Sequence, residues 1–196
     1  MSEAFTLRGL ARLQQDIRKS RFLAQAGPVD SAEDARGFVA QQSDLQATHN
    51  CWAYRIGQQY RFSDDGEPGG TAGRPILQAI DGRNFDRVVV LVTRWYGGIN
   101  LGAGGLARAY GGSASECLRL AEHMPLVDYA EMHVLCEFSW FPILQARCAE
   151  FSAIRIEEQA EAAGMRLHLR VPRDRAEPLG ELIRNLSRGR AVPRVE

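Results

Sequence analysis

Lysine is almost absent from this sequence of 196 residues, in which Lys19 is the only lysine among 24 lysines and arginines. Those cations are balanced by 24 Asp and Glu residues, so the formal net charge is zero. This balance excludes a protein that binds nucleic acid through an overall basic field, and any such contact must come from a local patch. Arginine suits a local patch, because its planar guanidinium forms paired hydrogen bonds with phosphate or carboxylate.

Several motifs that carry chemistry are also missing. The four cysteines form no C-x-x-C pair, which argues against a zinc knuckle or a thioredoxin-like site. No G-x-S-x-G sequence provides a hydrolase nucleophile. No aliphatic run approaches the ~20 residues of a membrane-spanning helix. We therefore expect a soluble, cytoplasmic protein with reduced thiols and no membrane segment.

The glycine content and the periodicity of the sequence change near residue 125. Glycines are concentrated between Gly66 and Gly112, whereas the C-terminal part is glycine-poor and strongly periodic. A short connector, residues 123–128, separates the two parts. We predict two domains, residues 1–124 and 125–196, and a mixed α+β fold class for both.

The second part alternates between strand and helix periodicity. Asp174 and Glu177 lie where a capping box would begin the second helix, and Gly189 lies just past the predicted end of that helix. The order β-α-β-β-α-β predicts a ferredoxin-like domain. The predicted strands cover residues 129–138, 154–157, 165–171 and 191–195, and the predicted helices cover residues 141–151 and 179–186.

The first part has a weaker pattern. A continuous aliphatic run, Val88 to Val92, predicts a fully buried central strand. Ser31 and Asp34 are typical of the start of a helix that reaches about Gln42. Further strands are predicted over residues 21–26, 51–56 and 60–62, and further helices over residues 76–80 and 106–121.

One segment is acidic and rich in glycine and proline. Asp64, Asp65 and Glu67 follow Ser63 within a few residues, so clustered carboxylates are available to a hard cation such as Mg²⁺. A carboxylate paired with His49 is a second interpretation, for acid–base catalysis. Contact with a partner is a third. The fourth is turn chemistry, in which Asp side chains accept hydrogen bonds from backbone N–H groups.

A second segment, residues 93–106, leads from the buried strand into a helix through a glycine-rich loop. Clustered backbone N–H groups at a helix N-terminus favour an anion, so this loop is a candidate phosphate cradle. It lacks the Lys-Ser/Thr of a P-loop, and it matches a dinucleotide fingerprint only by letter. The alternative is that the glycines permit tight turns and close packing. They are Gly97, Gly98, Gly102, Gly104 and Gly105.

Cys51 follows His49 by two residues, which suggests a cysteine nucleophile with a histidine base. The two side chains share one face of the predicted strand, and Cys51 continues its apolar pattern. We therefore expect Cys51 to be a buried thiol.

These segments together resemble the signature of the YigZ/IMPACT family. The likeness extends over residues 15–122 and includes unusual strings in the expected order. They are KSRF at residues 19–22, HNCWAY at 49–54, SDDGEP at 63–68, TAGRP at 71–75 and TRWYGGINLGAGGLARAYGG at 93–112.

The resemblance implies a first domain with the fold shared by a small-subunit ribosomal protein and domain IV of elongation factor G. It implies a second domain like the ferredoxin-like domains of that factor, and a role in translational control. The expected function is a non-enzymatic, translation-associated regulatory protein that binds RNA, the ribosome or a translation factor, without DNA specificity, cofactor or metal. A phosphate- or nucleotide-handling enzyme and a pure protein-interaction module are the alternatives.

The predicted binding surface lies at the end of the buried strand. There Arg94 is expected to reach solvent, because an unpaired buried charge is strongly unfavourable. The aromatic rings that follow suit unpaired bases. The surface comprises Arg21, Arg74, Arg94, Trp95, Tyr96, the five loop glycines and Arg108, with His49, Ser63, Asp64, Asp65 and Glu67 as additional contacts in the acidic segment.

Overall fold

A computed structural model describes residues 4–196 of the chain. It divides into two compact units, Met1–Leu126 and Val127–Glu196. The predicted boundary, after residue 124, lies two residues before this division. Each unit contains both helices and strands, so the mixed α+β fold class is confirmed.

The described residues of the first unit, from residue 4 onward, form seven strands and three helices. A two-stranded ribbon pairs β1 with β7, and a five-stranded antiparallel sheet has the order β2-β3-β6-β4-β5. The elements are β1 (Phe5–Leu7), β2 (Ala11–Ile17), β3 (Ser20–Pro28), α1 (Ala32–Gln42), β4 (His49–Ile56), β5 (Gln59–Ser63), α2 (Gly73–Gly82), β6 (Val88–Trp95), α3 (Ala103–Leu120) and β7 (His123–Pro125).

The central strand β6 is buried along its length except at Trp95, as the aliphatic run predicts. Its side chains alternate between two hydrophobic clusters on the two faces of the sheet. Val88, Val90 and Val92 join the cluster formed with α2 and α3. Val89 joins the smaller cluster beneath α1. The end of β6 therefore has a distinct environment on each face, and this separation shapes the candidate site.

The start of α1 confirms the predicted cap. Ser31 Oγ accepts a hydrogen bond from the backbone N–H of Asp34 at 3.1 Å and donates one to Oδ2 of the same residue at 2.7 Å. One orphan N–H group of the first turn is thereby satisfied.

The second unit follows the order strand, helix, strand, strand, helix, strand. Its four-stranded sheet has the order β11-β8-β10-β9 and is antiparallel throughout. The elements are β8 (Tyr129–Cys136), α4 (Phe141–Arg147), a 3-10 turn (Cys148–Phe151), β9 (Ile154–Glu161), β10 (Gly164–Pro172), α5 (Arg173–Leu186) and β11 (Arg194–Val195).

Two details of the second unit differ from the sequence prediction. The capping box at Asp174 is wrong, because α5 begins at Arg173 directly after Pro172 and has no side-chain cap. The last strand is limited to two residues. The predicted helix end at Gly189 is supported by its positive φ of 81° and by its N–H, which donates to the carbonyl of Arg184 at 2.7 Å.

No helix within residues 4–196 combines the length and apolar character needed to cross a membrane.

Candidate functional site

The glycine-rich loop after β6 packs directly on the turn between β2 and β3. Arg18 and Lys19 form that turn with positive φ angles of 46° and 69°. A Cβ atom at Gly97 would lie 1.8 Å from the carbonyl oxygen of Lys19, so only glycine permits the approach. The N–H of Gly97 also donates to Ser20 Oγ at 3.2 Å. The start of the loop is therefore held against the β2–β3 turn.

Arg94 is buried, with 4% of its surface exposed. The expectation that it reaches solvent is wrong, because β6 continues through Trp95 and pairs Arg94 with Phe22 and His49 of its neighbours. Nη1 of Arg94 donates to Oε1 of Glu67 at 2.6 Å, and Nη2 donates to Ser20 Oγ at 3.4 Å. Its Nε–H has no hydrogen-bond partner among the described residues. Arg94 thus holds the acidic segment against the sheet.

Glu67 is the buried acceptor of this cluster. Besides Arg94, the hydroxyl of Tyr110 donates to Oε1 of Glu67 at 2.7 Å. Burial raises the pKa of Tyr110, so the phenol stays protonated and acts as a donor. The carboxylate charge is therefore compensated by one cation and one neutral hydroxyl.

His49 lies beside this pair. Its Nδ1 is 2.7 Å from the carbonyl oxygen of Asp65, and its Nε2 is 3.8 Å from Oε1 of Glu67. A carbonyl oxygen only accepts hydrogen bonds, so Nδ1 carries a proton and Nε2 faces Glu67. Burial raises the pKa of Cys51 to about 12, and its Sγ donates to the carbonyl of Asp64 at 3.0 Å. Cys51 is the buried thiol that its apolar pattern predicts, and it is not activated as a nucleophile.

The remaining acidic side chains organise the turn. Asp64 accepts backbone N–H bonds from Gly70, Ala72 and Gly73 at 2.8, 3.0 and 2.8 Å. Partial burial opposes ionisation, but these three donors lower the pKa of Asp64 below its ordinary value of 3.8.

The side chains of Asp65 and Ser63 also accept hydrogen bonds from backbone N–H groups at this turn. Oδ2 of Asp65 accepts the N–H of Asn50 at 2.6 Å, and Ser63 Oγ accepts the N–H of Asp65 at 3.3 Å. Among residues 4–196, no three His, Cys, Asp or Glu side chains are placed to share a metal ion. The geometry matches turn chemistry.

Trp95 lies on the opposite face of the sheet from Arg94, since consecutive strand residues point in opposite directions. The guanidinium carbon of Arg21, the strand partner of Trp95, is 3.9 Å from the centre of the indole ring. Tyr96 returns to the Arg94 side, with its ring centre 5.3 Å from that guanidinium and its hydroxyl 3.1 Å from Oδ1 of Asn100. The single surface predicted from the sequence is thus divided between two faces.

Four cations surround the glycine-rich loop without a carboxylate partner. Arg18 and Arg108 line one groove of about 240 Å³ with Gly105. Lys19 follows Arg18, and Arg21 stacks on Trp95 at the same end of the sheet but on the face opposite α3. Within the part of the chain that the structure describes, no carboxylate oxygen lies within 4.0 Å of their charged nitrogens. We call Arg18, Lys19, Arg21 and Arg108 the basic cluster.

The acidic segment and the glycine-rich loop both line a cleft of about 520 Å³. His49, Glu67 and Arg94 line it together with Tyr96 and the start of α3. The two segments singled out in the sequence therefore meet in space. Neither Asp64 nor Asp65 lines this cleft.

The other predicted residues have separate positions. Arg74 is exposed in the first turn of α2. Gly98 and Gly102 have positive φ angles of 85° and 71°, and a Cβ at Gly105 would lie 3.1 Å from that of Leu101. Gly104 is exposed in the first turn of α3.

Sequence reasoning missed two residues of the buried hydrogen-bond network around Arg94 and Glu67. Ser20 contacts Arg94 and Gly97, and Tyr110 contacts Glu67. The signal for both lay in the strings that carry the family resemblance, where a small hydroxyl residue precedes a strand and a tyrosine interrupts an apolar helix face.

Comparison with known proteins places this arrangement in a family. The model of the Impact N-terminal domain matches residues 18–118, which include the β2–β3 turn, the residues that line the cleft and most of α3. The chain belongs to the IMPACT family. It is 48% identical over 179 residues to an IMPACT family member in the pol 5′ region of Thermus thermophilus, covering 89% of this chain and 97% of that protein.

Two further relatives extend over both units. The IMPACT family member YigZ of Escherichia coli is 33% identical over 182 residues and 89% of each chain. A crystal structure of a hypothetical protein is similar with a TM-score of 0.65 and 30% identity, covering 98% of this chain and 97% of that one. The similarity to the IMPACT family therefore includes the second unit.

Proposed function

We propose that this IMPACT family protein is a non-enzymatic, translation-associated regulatory protein that binds RNA through the basic cluster. The observation that carries the proposal is the gathering of four cations without carboxylate partners around an exposed glycine-rich loop. Phosphate binding by Arg and Lys releases counterions, which is the main source of affinity for nucleic acid.

The basic cluster is a local concentration of cations without carboxylate partners. The net charge is zero, and eleven of the 20 arginines outside the cluster pair with a carboxylate. Examples are Arg119 with Glu116 at 2.7 Å and Arg173 with Asp128 at 2.9 Å. Cations without such partners retain their full attraction for an external phosphate. The local charge at the end of β6 is thus positive although the whole chain is neutral.

Aromatic side chains flank the basic cluster. Trp95 supports Arg21 from one side, and Tyr96 is 45% exposed at the mouth of the cleft. Single-stranded nucleic acid binds where cations follow its backbone and aromatic rings stack on its bases. The pairing of Arg21 with Trp95 keeps the guanidinium plane fixed beside the loop, which favours phosphate contact over a freely moving side chain.

The cleft supports a binding role over a catalytic one. Glu67 is occupied by Arg94 and Tyr110, and the raised pKa of Cys51 leaves it protonated. Among these contacts, His49 does not connect a nucleophilic side chain to a free carboxylate. The arrangement therefore lacks the chain of nucleophile, base and orienting group that acyl or phosphoryl transfer needs.

The translational part of the proposal rests on fold and family. The element order of the second unit and its strand order, β11-β8-β10-β9, support the ferredoxin-like domain that the resemblance implies. We infer the corresponding relation of the first unit to domain IV of elongation factor G. A fold alone specifies no partner, so binding must be tested directly.

The test compares Arg21→Ala, Arg108→Ala and the control Arg36→Ala, an exposed arginine on α1. Binding to ribosomes and to single-stranded RNA is measured over a range of salt concentrations. We expect each cluster variant to lower the slope of log K against log salt by ~0.7, about one phosphate contact, while Arg36→Ala keeps the wild-type slope. Equal slopes in all three variants would contradict the proposal. Salt-insensitive binding to a translation factor alone would favour the protein-interaction module instead.

A further inference from the structure

The turn between β2 and β3 contains residues that its backbone does not favour. Ile17 pairs with Ser20, so Arg18 and Lys19 are the two residues of the turn, with positive φ angles of 46° and 69°. Hairpin turns with this backbone favour Asn-Gly or Asp-Gly, because left-handed angles are unfavourable for residues with long side chains. Turn geometry therefore does not explain two exposed cations at this position, and such an outlier points to function.

Cations lie on both faces of the sheet beside this turn. Arg21 stacks on Trp95, on the face opposite α3, with its guanidinium carbon 3.9 Å from the ring centre. Arg18 and Arg108 line a groove on the α3 side. Two groups of positive charge are therefore separated by the thickness of the sheet, in a molecule whose net charge is zero.

The turn is held in place before any ligand binds. The N–H of Gly97 donates to Ser20 Oγ at 3.2 Å, and Gly97 packs so closely on Lys19 that an added Cβ atom would collide with the carbonyl oxygen of Lys19. The indole of Trp95 likewise supports the guanidinium of Arg21. Preorganised cations lose less conformational entropy on binding, so these residues suit a ligand of fixed shape.

The arrangement matches a ligand with two rows of phosphate. A double helix has one row on each side of a groove, whereas a single strand has one row and must bend around the turn to reach both faces. The minor groove of A-form RNA is wide and shallow and displays 2′-hydroxyl groups, whereas that of B-form DNA is only about 6 Å wide. Lys19 lies at the turn between the two faces, and its ammonium can donate to hydroxyl and base-edge acceptors. Double-helical RNA therefore fits both the charges and the shape of this edge.

We propose that the β2–β3 turn binds the minor groove of double-helical RNA. Arg21 contacts the phosphates of one strand, Arg18 and Arg108 contact those of the other, and Lys19 donates to 2′-hydroxyl groups in the groove. The inference rests on the proposed RNA-binding function and names the form of RNA that the basic cluster binds. Tyr96, with 45% of its surface exposed, remains available for an unpaired base beside the duplex.

The carboxylate of Asp16 provides a test of where the RNA backbone passes. Asp16 is exposed, pairs with Arg21 across the two strands and shares its face of the sheet. A phosphate bound by Arg21 is therefore close to Asp16 and is repelled by it. Asp16→Asn should tighten RNA binding and Arg21→Ala should weaken it, so variants of two neighbouring residues are expected to act in opposite directions.

The test measures binding to the full chain by fluorescence anisotropy. The probes are a blunt RNA duplex of about 16 base pairs, one of its strands alone and a DNA duplex of the same sequence. The major groove of DNA admits a β-ribbon but has no 2′-hydroxyl, so this comparison separates groove recognition from charge density. We expect the RNA duplex to bind at least about tenfold more tightly than either other probe. Lys19→Met removes the ammonium donor and should reduce the preference for RNA over DNA by about threefold or more.

The salt dependence locates the phosphate contacts. Arg21→Ala and Arg108→Ala should each lower the slope of log K against log salt for the RNA duplex by about 0.9, which is one phosphate contact, while Arg36→Ala keeps the wild-type slope. Asp16→Asn should tighten binding of the RNA duplex by about twofold or more at low salt.

Equal binding of the RNA and DNA duplexes, or tighter binding of the single strand, would overturn the inference. A slope that changes in only one of the two cluster variants would also overturn it, because one face of the sheet would then be free of RNA. Binding of the single strand with a slope that depends on Arg21 would leave the RNA-binding function in place and remove only the inference. Slopes that are equal in every arginine variant for both RNA probes would contradict both.

Discussion

Arg94 and Glu67 form an enclosed ion pair, with Nη1 and Oε1 separated by 2.6 Å and with side chains that are 5% and 3% exposed. The pair joins the central strand to the acidic segment, which are 27 residues apart in the chain. Removal of either member leaves the other charge in a poorly solvated place. Such a pair fixes the geometry of the cleft more than it increases the free energy of unfolding relative to an apolar replacement.

Arg94→Ala is therefore expected to destabilise the fold. The free energy of unfolding should fall by about 3–5 kcal/mol, because Glu67 becomes a buried uncompensated charge. Urea denaturation of the full chain measures the change, with Arg21→Ala as the exposed control that shifts it by less than about 0.5 kcal/mol. The double variant Arg94→Met with Glu67→Gln should recover part of the loss. A wild-type midpoint for Arg94→Ala would show that the pair is not structural.

Two glycines of the same region should respond in opposite directions to alanine. A Cβ at Gly97 collides with the β2–β3 turn, so Gly97→Ala should lower stability by about 1–3 kcal/mol or more. Gly112 has nothing within 4 Å of an added Cβ and lies within α3, so Gly112→Ala should raise stability by about 0.5–1 kcal/mol. Thermal denaturation compares the two, and similar shifts would be inconsistent with the close approach at Gly97.

The acidic segment should make the fold sensitive to acid. Because the pKa of Asp64 is lowered in the folded state, its contribution is present above its ordinary value of 3.8 and is lost as pH falls through the folded-state value. Asp64→Asn retains acceptors for Ala72 and Gly73 but cannot titrate. We expect the melting temperature of the wild type to fall more steeply below the ordinary value than that of Asp64→Asn. Parallel profiles would assign the acid sensitivity to other carboxylates.

The cysteines should be inert in the native protein. All four are buried, and burial raises the pKa of Cys51 and Cys136 to about 12 and that of Cys117 to about 11. We expect no alkylation by iodoacetamide at mildly alkaline pH in native buffer, and modification of all four thiols in concentrated urea. Mass spectrometry counts the adducts. Rapid labelling of Cys51 in the native protein would indicate an activated thiol and would support the interpretation of Cys51 as a nucleophile.

The second unit should fold as a separate fragment. Residues 127–196 have a hydrophobic cluster of their own, centred on Met132, Leu144, Leu169 and Leu179. A domain of about 70 residues is expected to be only marginally stable. Amide exchange of the isolated fragment should show protection in β8 and β10, and uniform rapid exchange would show that this unit depends on the first.

The sequence predicts regular elements well where local patterning determines them. The run Val88–Val92, the cap at Ser31 and the alternation in β10 follow from local patterning, and the structure agrees with each. The short ribbon of β1 and β7 escapes prediction, because three residues carry too little periodicity.

The environment of Arg94 also escapes prediction, for a different reason. Its burial depends on a partner, Glu67, supplied by a distant loop, and on the extension of β6 by pairing with β3 and β4. A local pattern contains neither fact. The general rule that a charge avoids burial holds only for an unpaired charge.

The ribbon of β1 and β7 brings the two ends of the first unit side by side, with Phe5 opposite Pro125 and the N–H of Leu126 donating to the carbonyl of Ala4 at 2.7 Å. A module that is entered and left at neighbouring points is easily spliced into a loop of a host protein, or circularly permuted, with little disturbance of its interior. The unit is therefore suited to insertion into other chains during evolution. A circular permutant of the unit can be made by joining its ends with a short linker and opening the chain at an exposed turn.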